Sequence, residues 1–309
     1  MKLTKFVVVC IGVAGLLLGI TACSAGRTLP YANAECYSAG DTSFSEPIEH
    51  LDIDWVSGKV NIVTHSDSSV LLSEETDFSK TDDMRVHWWL DGTTLRVRFS
   101  APGVRFSMFH HEKKELTIRI PETMNLAEIT VNAASADVTV DGPIKAETFS
   151  VSTASGEMDI SCESNEIDLG SASGDIKLEQ IGKTALVQVH TASGNIESSF
   201  ERCEKADFDS ASGKIDVVAN ELSGFSANSA SGDISCEMKK AVSKCEIRTV
   251  SGEITLGMPD DLGFTVKIDS VSGNFRSDLA LKKDGKTYVY KDGSTEVFLK
   301  TTSGDMMIR

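Results

Sequence analysis

Residues 167–178 read IDLGSASGDIKL, and the spacing of their side chains decides the fold. With Ser173 as position zero, apolar Ile167 and Leu169 stand six and four residues before it, and small Ser171 stands two before. Gly174 follows directly, and apolar Ile176 and Leu178 come three and five residues after. Alternation with a period of two on both sides of a Ser-Gly pair describes two half-buried strands meeting at a corner.

The unit recurs along the chain. Its corners are Ser57-Gly58, Ser155-Gly156, Ser173-Gly174, Ser193-Gly194, Ser212-Gly213, Ser231-Gly232, Ser251-Gly252, Ser272-Gly273 and Ser303-Gly304, with Ser135-Ala136 as a variant. From Ser155 to Ser272 the spacings are 18, 20, 19, 19, 20 and 21 residues. The two positions before each corner are apolar in every copy, as in Ile129 and Val131, Phe149 and Val151, or Val187 and Val189. The position two before the serine is small in every copy except that of Trp55.

One copy cannot bury its apolar edge alone, so neighbours must stack, about 4.8 Å apart. The fold expected is all-β: a single-stranded β-solenoid of about ten rungs of 18–21 residues, with an irregular N-terminal hairpin or cap region. Glycine suits a corner because it reaches positive φ without a clash. The Ser and Thr side chains beside it form hydroxyl ladders that bond to one another and to corner amides. A β-propeller would make odd and even copies differ, which they do not, and a β-sandwich does not require equal spacing. Handedness and the number of faces per rung stay open.

Residues 65–120 break the pattern. Met84 to Leu90 and Thr94 to Phe99 read as a hairpin across Asp91-Gly92, and Leu116 to Ile120 as a third strand ending at Pro121. These segments form larger, irregular first rungs or a cap, and a cap is needed because an open solenoid end is an unpaired sheet edge. Near the other end, Lys283-Asp284-Gly285-Lys286 marks an inserted hairpin. The division expected is 1–22 signal peptide, 23–45 lipidated tether, 46–120 first rung and irregular β cap, and 121–309 regular solenoid.

The leader is the clearest local signal. Lys2 and Lys5 precede an uncharged apolar run from Phe6 to Ile20, which ends in Ile20-Thr21-Ala22-Cys23. That tetrapeptide resembles the lipobox of bacterial lipoproteins, and the resemblance makes Cys23 the lipidated N-terminus of the mature protein. Buried acyl carbons contribute roughly 0.8 kcal/mol per methylene, so two or three chains anchor stably. The alternative is an uncleaved membrane anchor, since the uncharged stretch continues to Ala25. Either route places the body outside the cytoplasm.

The chain has 309 residues, with 40% hydrophobic and 25% charged, as in a folded protein. Its net charge of −16 becomes −18 once a leader carrying two lysines and no acid is removed. Nucleic acid is thereby excluded as a partner, and anionic lipid is a poor one for the body. Cys36, Cys162, Cys203, Cys236 and Cys245 lie beyond Cys23, with no CxxC pair, so neither zinc nor a disulfide framework is indicated. Cys236 with Cys245 is the one pair to test for a bridge.

Candidate chemistry is sparse. Glu157, Asp175, Asp233, Glu253 and Asp305 follow corner glycines, but Asn195, Lys214 and Asn274 occupy the same slot, so a solvated corner is the better reading than a calcium ladder. His50, His65, His87, His110, His111 and His190 form no HExxH or Cys/His cluster, and no metal or cofactor is expected. His110, His111 and Glu112 follow Phe106 and Phe109 in a loop read as cap packing. Trp88 and Trp89 point to opposite faces of a strand, so one of them belongs to the core. The serines repeat identically, whereas an active site is one asymmetric constellation.

The run Glu115-Leu116-Thr117-Ile118-Arg119-Ile120-Pro121, followed by rungs reading SADVTV, ASGEMDI, ASGDIKL, ASGKIDV and ASGDISC, resembles the bacterial putative adhesin domain family, a domain of unknown function. The similarity covers Ile48 to Arg309. It implies a β-solenoid, frequent membrane attachment and, in some members, links to envelope-stress systems; it brings no catalytic residues. The expectation is a non-enzymatic lipoprotein of the bacterial cell surface that binds or scaffolds an envelope polymer or surface protein. The alternatives are an envelope-stress sensor and, furthest, a polysaccharide-acting enzyme.

Overall fold

The computed structural model describes residues 30–77, 81–104, 114–240, 242–285 and 287–309. The predicted leader, Cys23, and Phe106, Phe109, His110, His111 and Glu112 lie outside the described residues. Among the described residues two short 3-10 turns, Ala34–Cys36 and Asp82–Met84, accompany the strands. The first strands are β1 (Ser38–Ala39), β2 (Thr42–Phe44), β3 (His50–His65), β4 (Val70–Thr76), β5 (His87–Asp91), β6 (Thr94–Arg98) and β7 (Lys114–Pro121). The repeats supply β8 (Asn125–Thr153), β9 (Met158–Ser171), β10 (Ile176–Thr191), β11 (Ile196–Ser210), β12 (Ile215–Ala219), β13 (Leu222–Ser229), β14 (Ile234–Met238), β15 (Lys244–Arg248) and β16 (Ile254–Gly257). The C-terminal part adds β17 (Phe264–Ser270), β18 (Phe275–Ser277), β19 (Lys282–Asp284), β20 (Thr287–Tyr290), β21 (Thr295–Thr301) and β22 (Met306–Ile308).

The chain forms a β-solenoid. Each rung is one strand before the corner and one after it, and successive rungs pair in parallel and in register. Phe149, Ile167, Val187, Ala206, Phe225 and Cys245 follow one another in one column, and Val138, Met158, Ile176, Ile196, Ile215, Ile234 and Ile254 in another. All of these are buried. A one-residue slip would turn every one of them outward, so burial holds the register. The four deeper cysteines, Cys162, Cys203, Cys236 and Cys245, are buried and free. The bridge considered for Cys236 and Cys245 is therefore absent, and burial pushes the Cys245 thiol up to about 12 and that of Cys236 well above its ordinary value.

Corner glycine is required for a different reason from the one expected. Among the corners only Gly58 and Gly273 have φ in the left-handed range, at 89° and 151°. The others are needed because the rungs approach so closely. A Cβ on Gly174 would lie 1.9 Å from the carbonyl oxygen of Gly156, and one on Gly252 would lie 2.1 Å from that of Gly232.

Rung order departs from chain order at the C-terminal end. β21 pairs with β15 on one side and β17 on the other, and β22 likewise lies between β16 and β18. The Ser303 rung is thus inserted beneath the Ser272 rung, and the β19–β20 hairpin closes the end by antiparallel pairing of β20 with β17.

At the N-terminal end β6 and β7 pair in parallel with the two halves of β3 and make a further layer that lacks the Ser-Gly signature. β5 and β4 cover that layer in antiparallel fashion, and β1 and β2 cover these in turn. The expected hairpin across Asp91-Gly92 is β5–β6. The tether expected over 23–45 ends sooner: Ser38–Ala39 and Thr42–Phe44 are cap strands, because the free edges of β5 and β4 offer backbone partners.

Candidate functional site

The corner column is a hydrogen-bonded structure. The hydroxyls of Thr153, Ser171, Thr191, Ser210, Ser229, Thr249 and Thr301 each accept the N–H of the corner glycine three residues on, at 2.8–3.0 Å. The serines of the corner pairs donate across the rungs: Ser173, Ser193, Ser212, Ser231 and Ser251 each reach an alanine carbonyl of the preceding rung, at 3.2–3.4 Å. Ser135 reaches Val56 O in the same way. Gly273, with its unusual φ, breaks the pattern, and Ser270 Oγ is left without a partner.

The slot after the glycine forms a third ladder. The N–H groups of Glu157, Asn195, Lys214, Glu253 and Asn274 donate to the side chains of Asp137, Asp175, Asn195, Asp233 and Asp305, at 2.7–3.0 Å. Asp and Asn are the side chains that accept here, which gives the acidic corner a structural use. Among the described residues no group of three or more His, Cys, Asp or Glu could hold a metal ion.

Beyond the corners, the outer surface of the second strand column carries a groove of about 1150 Å³. Lys177, Glu179, Glu197, Asp216, Val218, Glu237, Asp260 and Arg309 line it, so it crosses several layers. Lys177 and Glu197 also border a second hollow of about 440 Å³ with Asp137, Glu157 and Asp159. Ion pairs join Lys177 to Asp159 at 3.3 Å and Arg309 to Glu237 at 3.5 Å. Val218 is 43% exposed in this groove, beside charged side chains and Ser199 and Ser235. The groove was not legible in the sequence, because its residues are the ordinary polar positions of separate rungs.

On the outer surface of the first column His190 Nδ1 lies 3.4 Å from Asp209. Burial alone would lower the pKa of His190, but the adjacent Asp209 carboxylate and the charges of Asp168 and Asp207 together raise it. His50 faces Glu128, His65 Nε2 lies 2.8 Å from Ser69 O, and His87 Nδ1 lies 2.9 Å from Arg85 O. These histidines are dispersed. Trp88 packs against the core and donates to Gly40 O, while Trp89 lies on the other side of β5, beside Tyr37 and Arg96.

The cap holds what the periodicity missed. Lys114 occupies the corner slot beneath Gly58, and its ammonium is fully buried, 2.6 Å from the buried Glu74 carboxylate. It also donates to the carbonyls of Met84 and Phe99 and lies over the rings of Phe99 and Trp55. Trp55 departs from the small-residue rule because it walls this charge. Arg98 is bound to Asp52 at 2.9 Å and Asp54 at 3.2 Å.

The profile of the Toastrack DUF4097 family matches residues 48–309. The chain belongs to that family. Solved structures similar to the Toastrack chain include a "putative adhesin" from Parabacteroides merdae, 15% identical over 88% of this chain and 96% of its own, with a TM-score of 0.54. Another is a "Putative lipid binding protein" from Parabacteroides distasonis, 14% identical over 88% of this chain and 97% of its own, with a TM-score of 0.52. At these identities the likeness extends to the fold. No curated protein matches the Toastrack chain.

Proposed function

We propose that this Toastrack chain is a non-catalytic binding or scaffolding module of the bacterial cell surface, held to the membrane by a lipid on Cys23. The observation that carries the reading is the groove running across the rungs from Lys177 to Arg309, whose length and mixed charge suit an extended polymer or peptide. Its serine-rich corners are committed to holding rungs together. The names borne by the similar structures, an adhesin and a lipid-binding protein, agree with a binding role.

The test is to incubate the chain from Ser24 onward with isolated envelope polymers and acidic glycans, measuring retention and cleavage together. Retention without cleavage, weakened by Val218→Asp, is expected; cleavage, or no retention on any envelope fraction, overturns the binding reading. Labelling cells with a clickable fatty acid addresses the anchor. Label present on wild type and lost in Cys23→Ala is expected, and equal labelling of both removes it.

A further inference from the structure

We infer that the solenoid stands on its N-terminal cap, with Tyr31, Tyr37 and Trp89 in the headgroup layer of the membrane that anchors it. This rests on the lipid-anchored reading above. The segment after the anchor is strapped to the cap: Tyr31 Oη donates to Ser100 O at 3.1 Å, Gly40 N to Val86 O at 2.8 Å, and β1 and β2 pair with β5 and β4. Eight residue steps separate Cys23 from Tyr31, so the lipidated end reaches at most about 29 Å from Tyr31 with the chain fully extended. The other end of the solenoid lies ten layers beyond the β6/β7 layer, about 48 Å along the axis at 4.8 Å per layer.

The cap surface within that reach fits a bilayer interface. Tyr31 and Tyr37 are 4.8 Å apart between ring centroids, and Tyr37 and Trp89 are 5.7 Å apart. All three rings are half-buried, and the Arg96 guanidinium lies 6.0 Å from the Trp89 ring. Rings with an apolar body and a polar edge settle at headgroup depth. A second aromatic group, Tyr288 and Tyr290 on the terminal hairpin, lies at the opposite end, beyond the reach of the anchor. The orientation holds the groove of Lys177 to Arg309 away from the bilayer.

The experiment uses lipidated full-length protein in phosphatidylcholine vesicles with bromine on the upper acyl chain. The chain has three tryptophans, of which Trp55 is buried in the cap and Trp88 faces the core. Wild type is expected to float with the vesicles and lose emission as bromine content rises. Trp89→Phe is expected to float equally and keep its emission. Flotation of wild type without quenching, or equal quenching of Trp89→Phe, overturns the orientation while leaving the anchor standing. Failure of wild type to float overturns both.

Discussion

The carbonyl oxygen of Gly194 lies so close beneath Gly213 that a Cβ on Gly213 would sit 1.7 Å from it. Backbone contact of this kind cannot be relieved by turning a side chain. Gly213→Ala should destabilise the fold by at least about 1–3 kcal/mol, as overpacking does. Gly224→Ala, where the nearest atom is Glu204 O at 3.7 Å, should stay within about 0.5 kcal/mol of wild type. Urea unfolding midpoints of the two variants check the contrast, and equal effects would remove the close-approach argument.

Thr191 tests the hydroxyl that accepts the corner amide of Gly194, at 2.9 Å. Thr191→Val keeps the shape and leaves that buried amide unpaired, at a cost of about 1–3 kcal/mol. Thr191→Ser should recover most of the loss, as Ser171 and Ser210 do the same work in neighbouring rungs. Chemical denaturation of the three proteins is the measurement.

Lys114 and Glu74 are a buried pair, so removing one partner should be worse than removing both. Lys114→Met alone should cost about 3–5 kcal/mol, because a carboxylate is left in the cap without its cation. Lys114→Met with Glu74→Leu should be markedly less damaging. A double-mutant cycle on thermal unfolding decides this, and simple additivity would contradict the pairing.

His190 makes stability depend on pH. Its folded pKa is raised, so the folded state binds the proton more tightly than the unfolded state, whose histidine titrates near 6.5. The stabilisation is therefore complete below about pH 6.5 and is lost as pH rises through the folded value. Wild type should lose more stability than His190→Gln between pH 6 and pH 8. Parallel pH dependences in the two proteins would show that Asp209 does not hold the charged ring.

Much of the fold was legible because burial and sequence share a period: Phe149 and Val151, or Ile176 and Leu178, reveal their column by alternation alone. Strands of two or three residues, such as Ser38–Ala39, are too short to show a period, so the strap read as a tether. The strands of the β6/β7 layer were legible, but not their place as one rung, because Lys114 stands where glycine signals a corner. Glu74 and Lys114 lie far apart in sequence on unlike strands, and no local pattern pairs them. The groove depends on which rungs are neighbours, information that a repeat of like units does not carry.

The insertion of Thr295–Arg309 between two earlier rungs bears on biogenesis. A chain that emerges from its N-terminus and adds coils in order cannot seat the Ser272 coil, because the coil beneath it is made after it. The Ser272 coil must wait, with Phe264–Ser270 lacking its parallel neighbour, until Thr295–Thr301 has been synthesised. A chain cut short before Thr295 loses the plug that fastens the Ser272 coil to the stack.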